Sequence, residues 1–165
     1  MNSISHRGWE IRALANEREA STCATAMANS EPWLTLQISD KILLRALSDA
    51  TREVFVITRD ERITGSLILN LNGPLQGYIQ NVFVIPEFRN KGIGGRLIAF
   101  AEERIFRAHA NVFLCVSSFN EKAQRWYYRL GYEKIGELNN YLVAGESELL
   151  LRKTRGPISV YGTRA

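Results

Sequence analysis

At 165 residues, with 45% hydrophobic and 23% charged side chains, the chain is long enough to bury a sizeable core, and one compact domain spanning residues 1–165 is the expectation. No apolar run approaches the ~20 residues that a membrane span requires, and the start M-N-S-I-S-H-R-G-W-E has no signal-peptide core, so a cytoplasmic location away from membranes is expected. A net charge of +4 without a dense basic stripe or a recognisable module speaks against nucleic acid as a partner, and Cys23 and Cys115 have no metal-ligand spacing, so no metal site is expected.

In chain order, Trp9 to Leu14 reads as a strand and Glu17 to Ala28 as a helix, interrupted before Pro32. Ser39 or Asp40 caps a second helix that ends near Ala50, with Ile42, Leu43, Ala46 and Leu47 on one apolar face. Glu53 to Thr58 and Ile63 to Leu71 read as strands joined by the polar tip Arg59-Asp60-Glu61-Arg62, and Asn72-Gly73-Pro74 makes the next turn. The strand Tyr78 to Ile85 is halted by Pro86, which lacks a ladder donor. After Gly95 the apolar positions Leu97, Phe100, Ala101 and Ile105 recur at helical steps. Val112 to Val116 is a short buried strand, and Asn120 caps a helix beginning at Glu121. Glu133 to Glu137 and Ser147 to Lys153 read as the last strands, and the tail after Arg155 as loosely held.

The turn between Pro86 and Leu97 carries the most chemistry. Gly92, Gly94 and Gly95 sit at a helix start, where backbone N–H groups lack intrahelical partners and the dipole is positive, and Arg89, Lys91 and Arg96 add charge. That is a socket for phosphate. It is not a P-loop, since G-x-x-x-x-G-K-[ST] is absent, and G-x-G-x-x-G fails because Leu97 stands at the sixth position from Gly92. Arg89, Gly92 and Gly94 meet [R/Q]-x-x-G-x-[G/A], which resembles the pyrophosphate loop of the GNAT superfamily of acetyl-CoA-dependent N-acetyltransferases. Downstream, Asn120, Ala123, Tyr127, Gly131 and Tyr132 stand at the spacing N-x-x-A-x-x-x-Y-x-x-x-G-[FY] of the same superfamily. The pattern is nearest to that of the ribosomal-protein N-terminal acetyltransferases.

The resemblance implies an α/β fold with a mixed, mostly antiparallel sheet of about six to seven strands, splayed at its centre and flanked by about four helices. It implies acetyl-CoA as cosubstrate, held by Val82, Phe83, Val84, Arg89, Asn90, Lys91, Gly92, Ile93, Gly94, Gly95, Asn120, Ala123 and Tyr127. The backbone of Val82 and Val84 would bond the pantetheine amides as to a pseudo-strand, and Tyr127, with Tyr128 as the alternative, would protonate the departing thiolate. A glutamate that helps deprotonate the amine in those relatives stands five positions before the Asn; here that position is Cys115, which in an apolar strand reads as a small buried hydrophobe. The remaining candidates for the acceptor side are a backbone-held water, Gln80, Asn81, Glu31 beside Trp33, and Tyr141 in the last hairpin. A missing base favours an acceptor of low pKa. An α-amine of pKa ~7.7–8.0 is about a quarter neutral near pH 7.5, whereas a lysine of pKa ~10.4 is only about 0.1% neutral. The expected partner is therefore an amine, as a small molecule or a peptide N-terminus, with the protein a monomer or a homodimer. An acyl-CoA sensor without turnover is the alternative, and nucleic-acid binding by Arg152-Lys153-Thr154-Arg155 is a third reading.

Overall fold

The computed structural model describes residues 4–6 and 8–161. The elements are β1 (Ile4–His6), β2 (Trp9–Ala13), α1 (Glu17–Ala28), α2 (Asp40–Leu47), β3 (Glu53–Arg59), β4 (Arg62–Asn70), β5 (Tyr78–Val84), α3 (Ile93–Phe106), β6 (Asn111–Ser117), α4 (Glu121–Arg129), β7 (Glu133–Asn139), β8 (Ser147–Thr154) and α5 (Ile158–Tyr161), with a 3-10 turn at Pro86–Phe88. None of the described helices is long and apolar enough to cross a membrane. The chain forms two compact units, one of Met1–Asn70 with Gln80–Ala101 and one of Leu71–Ile79 with Glu102–Ala165.

In the first unit the strand order is β1-β2-β3-β4-β5, with antiparallel pairing from β1 through β4. Asn16 caps α1 by accepting from the Glu19 N–H at 3.0 Å, and Glu19 in turn accepts from the Ala15 N–H at 2.9 Å and pairs with Arg12 at 2.7 Å. The helix buries Ala20, Cys23, Ala24 and Met27, which join Leu43 and Leu47 of α2, Val56, Ile68 and Phe83 of the sheet, and Trp33. The β3–β4 hairpin turns on Asp60 and Glu61, both at positive φ (49° and 63°), the conformation that matches the twist of a two-residue loop. One residue later the register shifts from Thr58↔Ile63 to Ile57↔Gly65, leaving Thr64 as the extra residue of a bulge. The Thr64 carbonyl accepts from the Ile85 N–H at 2.9 Å. Gly65 has no room for a side chain, since a Cβ would strike the Phe83 carbonyl and the Ile57 side chain, so the backbone of β5 lies close against β4 there.

In the second unit the order is β5-β6-β8-β7. The parallel β5–β6 ladder consists of Tyr78↔Phe113 and Ile79↔Leu114, in strands of seven residues each, while β8 pairs antiparallel with β6 from Asn111↔Thr154 to Ser117↔Glu148. Gly77 starts this arrangement. Its φ is +87°, its carbonyl accepts from the Phe113 N–H at 3.0 Å, and a Cβ would strike the Asn111 carbonyl and the Ile105 side chain. Gly77→Ala therefore meets backbone strain and a steric clash together, and a denaturant melt should show a loss of about 3 kcal/mol or more. A midpoint like the parent's would mean that the loop before β5 is not held in this conformation.

The sheet is mixed and mostly antiparallel, as the resemblance implies; the three-residue β1 was not anticipated. Helix α2 stops at Leu47 rather than near Ala50, because the Asp49 carboxylate gathers the Thr51 N–H (2.9 Å), the Thr51 hydroxyl (2.6 Å) and Arg52 (2.9 Å) into a turn. Arg155, where the tail expected to be loose begins, is held: its N–H donates to the Ala110 carbonyl at 2.9 Å and its guanidinium lies 4.1 Å from the Phe106 ring centre. Residues 162–165 of that tail lie outside the described residues.

Candidate functional site

In the first unit, β5 ends at Val84 and the chain turns through Pro86–Phe88 and an extended Arg89. Asn90 (φ 61°) and Gly92 (φ 78°) then bring it into α3. The helix begins at Ile93, not after Gly95, so Gly94 and Gly95 belong to its first turn. Ile93 and Leu97 are buried and pin the helix from below, while the Arg89–Gly92 stretch is exposed. The first intrahelical bond runs from the Arg96 N–H to the Gly92 carbonyl at 3.2 Å, which leaves the N–H groups of Ile93, Gly94 and Gly95 ahead of it. Lys91 stands 5.3 Å and Arg62 5.2 Å from the Phe88 ring centre, and Arg89 Nε donates to the Val84 carbonyl at 3.1 Å. Arg62 was not foreseen. It comes from the far hairpin and reaches this turn only through the tertiary contact with Phe88.

Backbone donors, positive charge and glycines that let a ligand come close make this turn a candidate anion cradle. A Cβ on Gly95 would meet nothing within 4 Å, and its φ is not in the left-handed region. Gly95→Ala should raise stability by about 0.5 kcal/mol, as expected for a helical glycine, yet weaken acetyl-CoA binding about tenfold by filling the cradle. A melt paired with calorimetric titration reads both signs. Affinity unchanged alongside the stability gain would take Gly95 out of the cradle.

Of the other first-unit candidates, Val82, Val84, Gln80 and Asn81 are half-buried along β5, and the buried Gln80 side-chain oxygen has no hydrogen-bond partner among the described residues. Phe83 is core, packed edge-on against Trp33 with ring centres 5.4 Å apart, so its side chain and that of Trp33 hold the sheet and α1 together. Glu31 is exposed and accepts from the Thr35 N–H at 3.2 Å. A hollow of about 600 Å³ in this unit, lined by Leu14, Glu17, Leu47, Asp49 and Arg52 among others, includes none of the candidate residues.

In the second unit, α4 is fixed to the end of β6. The Asn120 side chain accepts from the Ala123 N–H at 3.2 Å, and Gln124 donates to the carbonyls of Ser117 (3.0 Å) and Ser118 (2.8 Å). This places Tyr127 inward, 9% exposed, against the rings of Trp126 and Tyr132 at 4.9 and 5.7 Å between centres; Tyr128 is 42% exposed. Burial pushes the Tyr127 phenol above its ordinary value, so it stays protonated through neutral pH. Tyr132 is backed by Lys153, which lies 5.7 Å from its ring centre and pairs with Glu102 at 2.7 Å. Tyr141 is exposed in the β7–β8 connection.

Cys115 is half-buried on β6, hydrogen-bonded with Tyr78, and burial pushes its thiol up, which keeps it a thiol. Two positions on, Ser117 donates to Glu148 of β8 at 2.6 Å, and Glu148 is only 4% exposed. No motif spacing drew attention to Glu148, because in S-E-L-L-L-R-K-T it reads as the polar side of an alternating strand.

The first unit offers a candidate anion cradle at its strand-to-helix turn, and the second a buried phenol on a capped helix. The chain belongs to the acetyltransferase (GNAT) family, whose model matches residues 13–132. The family is that of the acetyl-CoA-dependent acyltransferases. An acetyltransferase of Agrobacterium fabrum is 36% identical over 95 residues, which make up 57% of this chain and 66% of that protein. The chain thus spans slightly under two thirds of that relative's length. Among solved structures, a GNAT-family protein of Desulfovibrio desulfuricans superposes with a TM-score of 0.72 at 16% identity, covering 88% of this chain and 98% of its own. The ribosomal-protein-S18-alanine N-acetyltransferase of Escherichia coli gives 0.71 at 19% identity, covering 95% and 98%.

Proposed function

We propose that the chain is a single N-acetyltransferase domain that moves the acetyl group of acetyl-CoA directly to a primary amine of low pKa, a peptide N-terminus or a small molecule. The observation that carries this reading is Tyr127, a buried and protonated phenol at the motif position, on a helix capped by Asn120. The N–H groups of Ile93, Gly94 and Gly95, with Arg89 and Lys91, receive the pyrophosphate. The backbone of Val82 and Val84 bonds the pantetheine amides as to a pseudo-strand, and the Asn120 side chain contacts the same arm. The neutral amine attacks the thioester carbonyl, the N–C bond forms, and the C–S bond breaks as Tyr127 gives its proton to sulfur, the proton then lost by the nitrogen restoring the phenol. A thiolate whose conjugate acid has a pKa near ~8.5 takes that proton readily.

The acceptor follows from its own acidity, since an amine already partly neutral at physiological pH asks least of a base. The E. coli relative is named for an alanine acceptor on a protein, which supports a peptide α-amine, with Tyr141 on the exposed hairpin available to contact it. The test is release of free thiol from acetyl-CoA across a panel of short peptides and small amines. Release fastest with α-amines is the expected result; acetyl-CoA bound without release to any amine would leave a sensor in place of an enzyme.

A further inference from the structure

The face of the second-unit sheet that carries Cys115 also carries a carboxylate. β6 and β8 pair in the register Cys115↔Leu150 and Ser117↔Glu148, and β5 joins through Tyr78↔Phe113, so Tyr78, Phe113, Cys115, Ser117, Glu148 and Leu150 share one side. Tyr78, Phe113, Cys115 and Leu150 are half-buried, so this face is not sealed, while Glu148 itself is 4% exposed. Ser117 closes β6 just before Asn120 and α4, at the carboxyl end of the parallel pair, where open sheets of this kind take their ligands.

Glu148 has an unusual set of neighbours. The Ser117 hydroxyl donates to it at 2.6 Å, and among the described residues no basic side chain offers it an ion pair. Glu146 on its own strand connection adds like charge; from β5 and β6 the Tyr78 phenol and the Cys115 thiol stand hydrogen-bonded together, both held neutral by burial; from β7 the residue opposite is Leu138. A buried carboxylate without a cation is costly to the fold, and such groups gather at functional sites. Burial pushes its pKa up, with the Ser117 hydrogen bond opposing, which makes this carboxylate a stronger base than an exposed glutamate.

We infer that Glu148, oriented by Ser117, is the base that takes the proton from the acceptor amine. The inference rests on the acetyl transfer proposed above. The ammonium gives one proton to the Glu148 carboxylate and becomes a neutral amine; the N–C bond forms; the C–S bond breaks with the Tyr127 proton passing to sulfur. The second nitrogen proton restores Tyr127, and Glu148 sheds its own to water, so each transfer releases one proton.

The test is kcat/KM against pH for the intact protein, with one α-amine acceptor, in the parent, Glu148→Gln and Ser117→Ala, each with acetyl-CoA affinity measured by calorimetry. A base must be ionised to act, so parent activity is present above the raised pKa of Glu148 and falls as pH drops through it. Glu148→Gln should lose about a hundredfold at pH 7, and the deficit should shrink as pH climbs to the amine's own pKa, where the acceptor is neutral unaided. Ser117→Ala removes a donor that stabilises the carboxylate, so the acid limb should move up by about one pH unit. Both variants should bind acetyl-CoA like the parent. An active parent with a Glu148→Gln loss that is absent or independent of pH, or with no limb shift in Ser117→Ala, would overturn the role of Glu148 and leave acetyl transfer standing. A parent that releases no thiol with any amine would overturn the reaction itself, and the base with it.

Discussion

Tyr127→Phe binds acetyl-CoA like the parent and turns over about a hundredfold or more slower, the usual loss when a positioned acid is removed. The substitution deletes one oxygen and keeps the ring that packs against Trp126 and Tyr132, so stability should move by less than about 1 kcal/mol. The two readouts therefore separate chemistry from folding. Because burial holds the phenol above its ordinary pKa, the parent should show no alkaline limb from this group below pH ~10. Tyr128→Phe, at an exposed position, should change neither quantity. Unchanged turnover in Tyr127→Phe would remove the tyrosine from the mechanism and leave the thiolate to depart unaided.

The pair Gly92→Glu with Gly94→Glu should abolish measurable acetyl-CoA binding, a loss of about 3 kcal/mol or more, equal to over a hundredfold in affinity. Two carboxylates at the start of α3 would occupy the N–H groups meant for the pyrophosphate and repel its charge. The fold should survive. Acidic groups near a helix N-terminus stabilise it by about 0.3–1 kcal/mol each, which offsets the cost of about 1 kcal/mol for a side chain at Gly92, whose φ is +78° with nothing within 4 Å of a Cβ. Calorimetric titration beside a thermal melt reads the two effects. Intact folding with parental affinity would place the phosphates elsewhere on the chain.

Where local chemistry dictates structure, the sequence was legible. Asn120 announces a helix that begins where its side chain caps it, and the Asp60-Glu61 tip forms the tight hairpin its polar composition suggested. The glycine turn and the Asn120–Tyr132 spacing identified the family because both encode backbone geometry and short-range packing. What stayed hidden depends on register and on long-range contact. Arg62 joins the cationic turn through Phe88, and Glu148 reaches Ser117 across 31 positions of sequence, so neither has a local signature. Trp33 shows the converse. Its position beside Glu31 suggested an acceptor contact, but its edge-on packing with Phe83 makes it a core residue. The end of α2 was misplaced because Asp49 forms a turn with Thr51 and Arg52, a competition that apolar periodicity does not reveal.

The most direct test of acetyl transfer to an amine is to incubate the protein with acetyl-CoA and a mixture of short peptides and small amines, then weigh both the acceptors and the intact protein. An acetylated amine, with the acetyl group on a low-pKa nitrogen and none left on the protein, is the result this account predicts. No acetylated acceptor, or an acetyl group retained on Cys115, would contradict it.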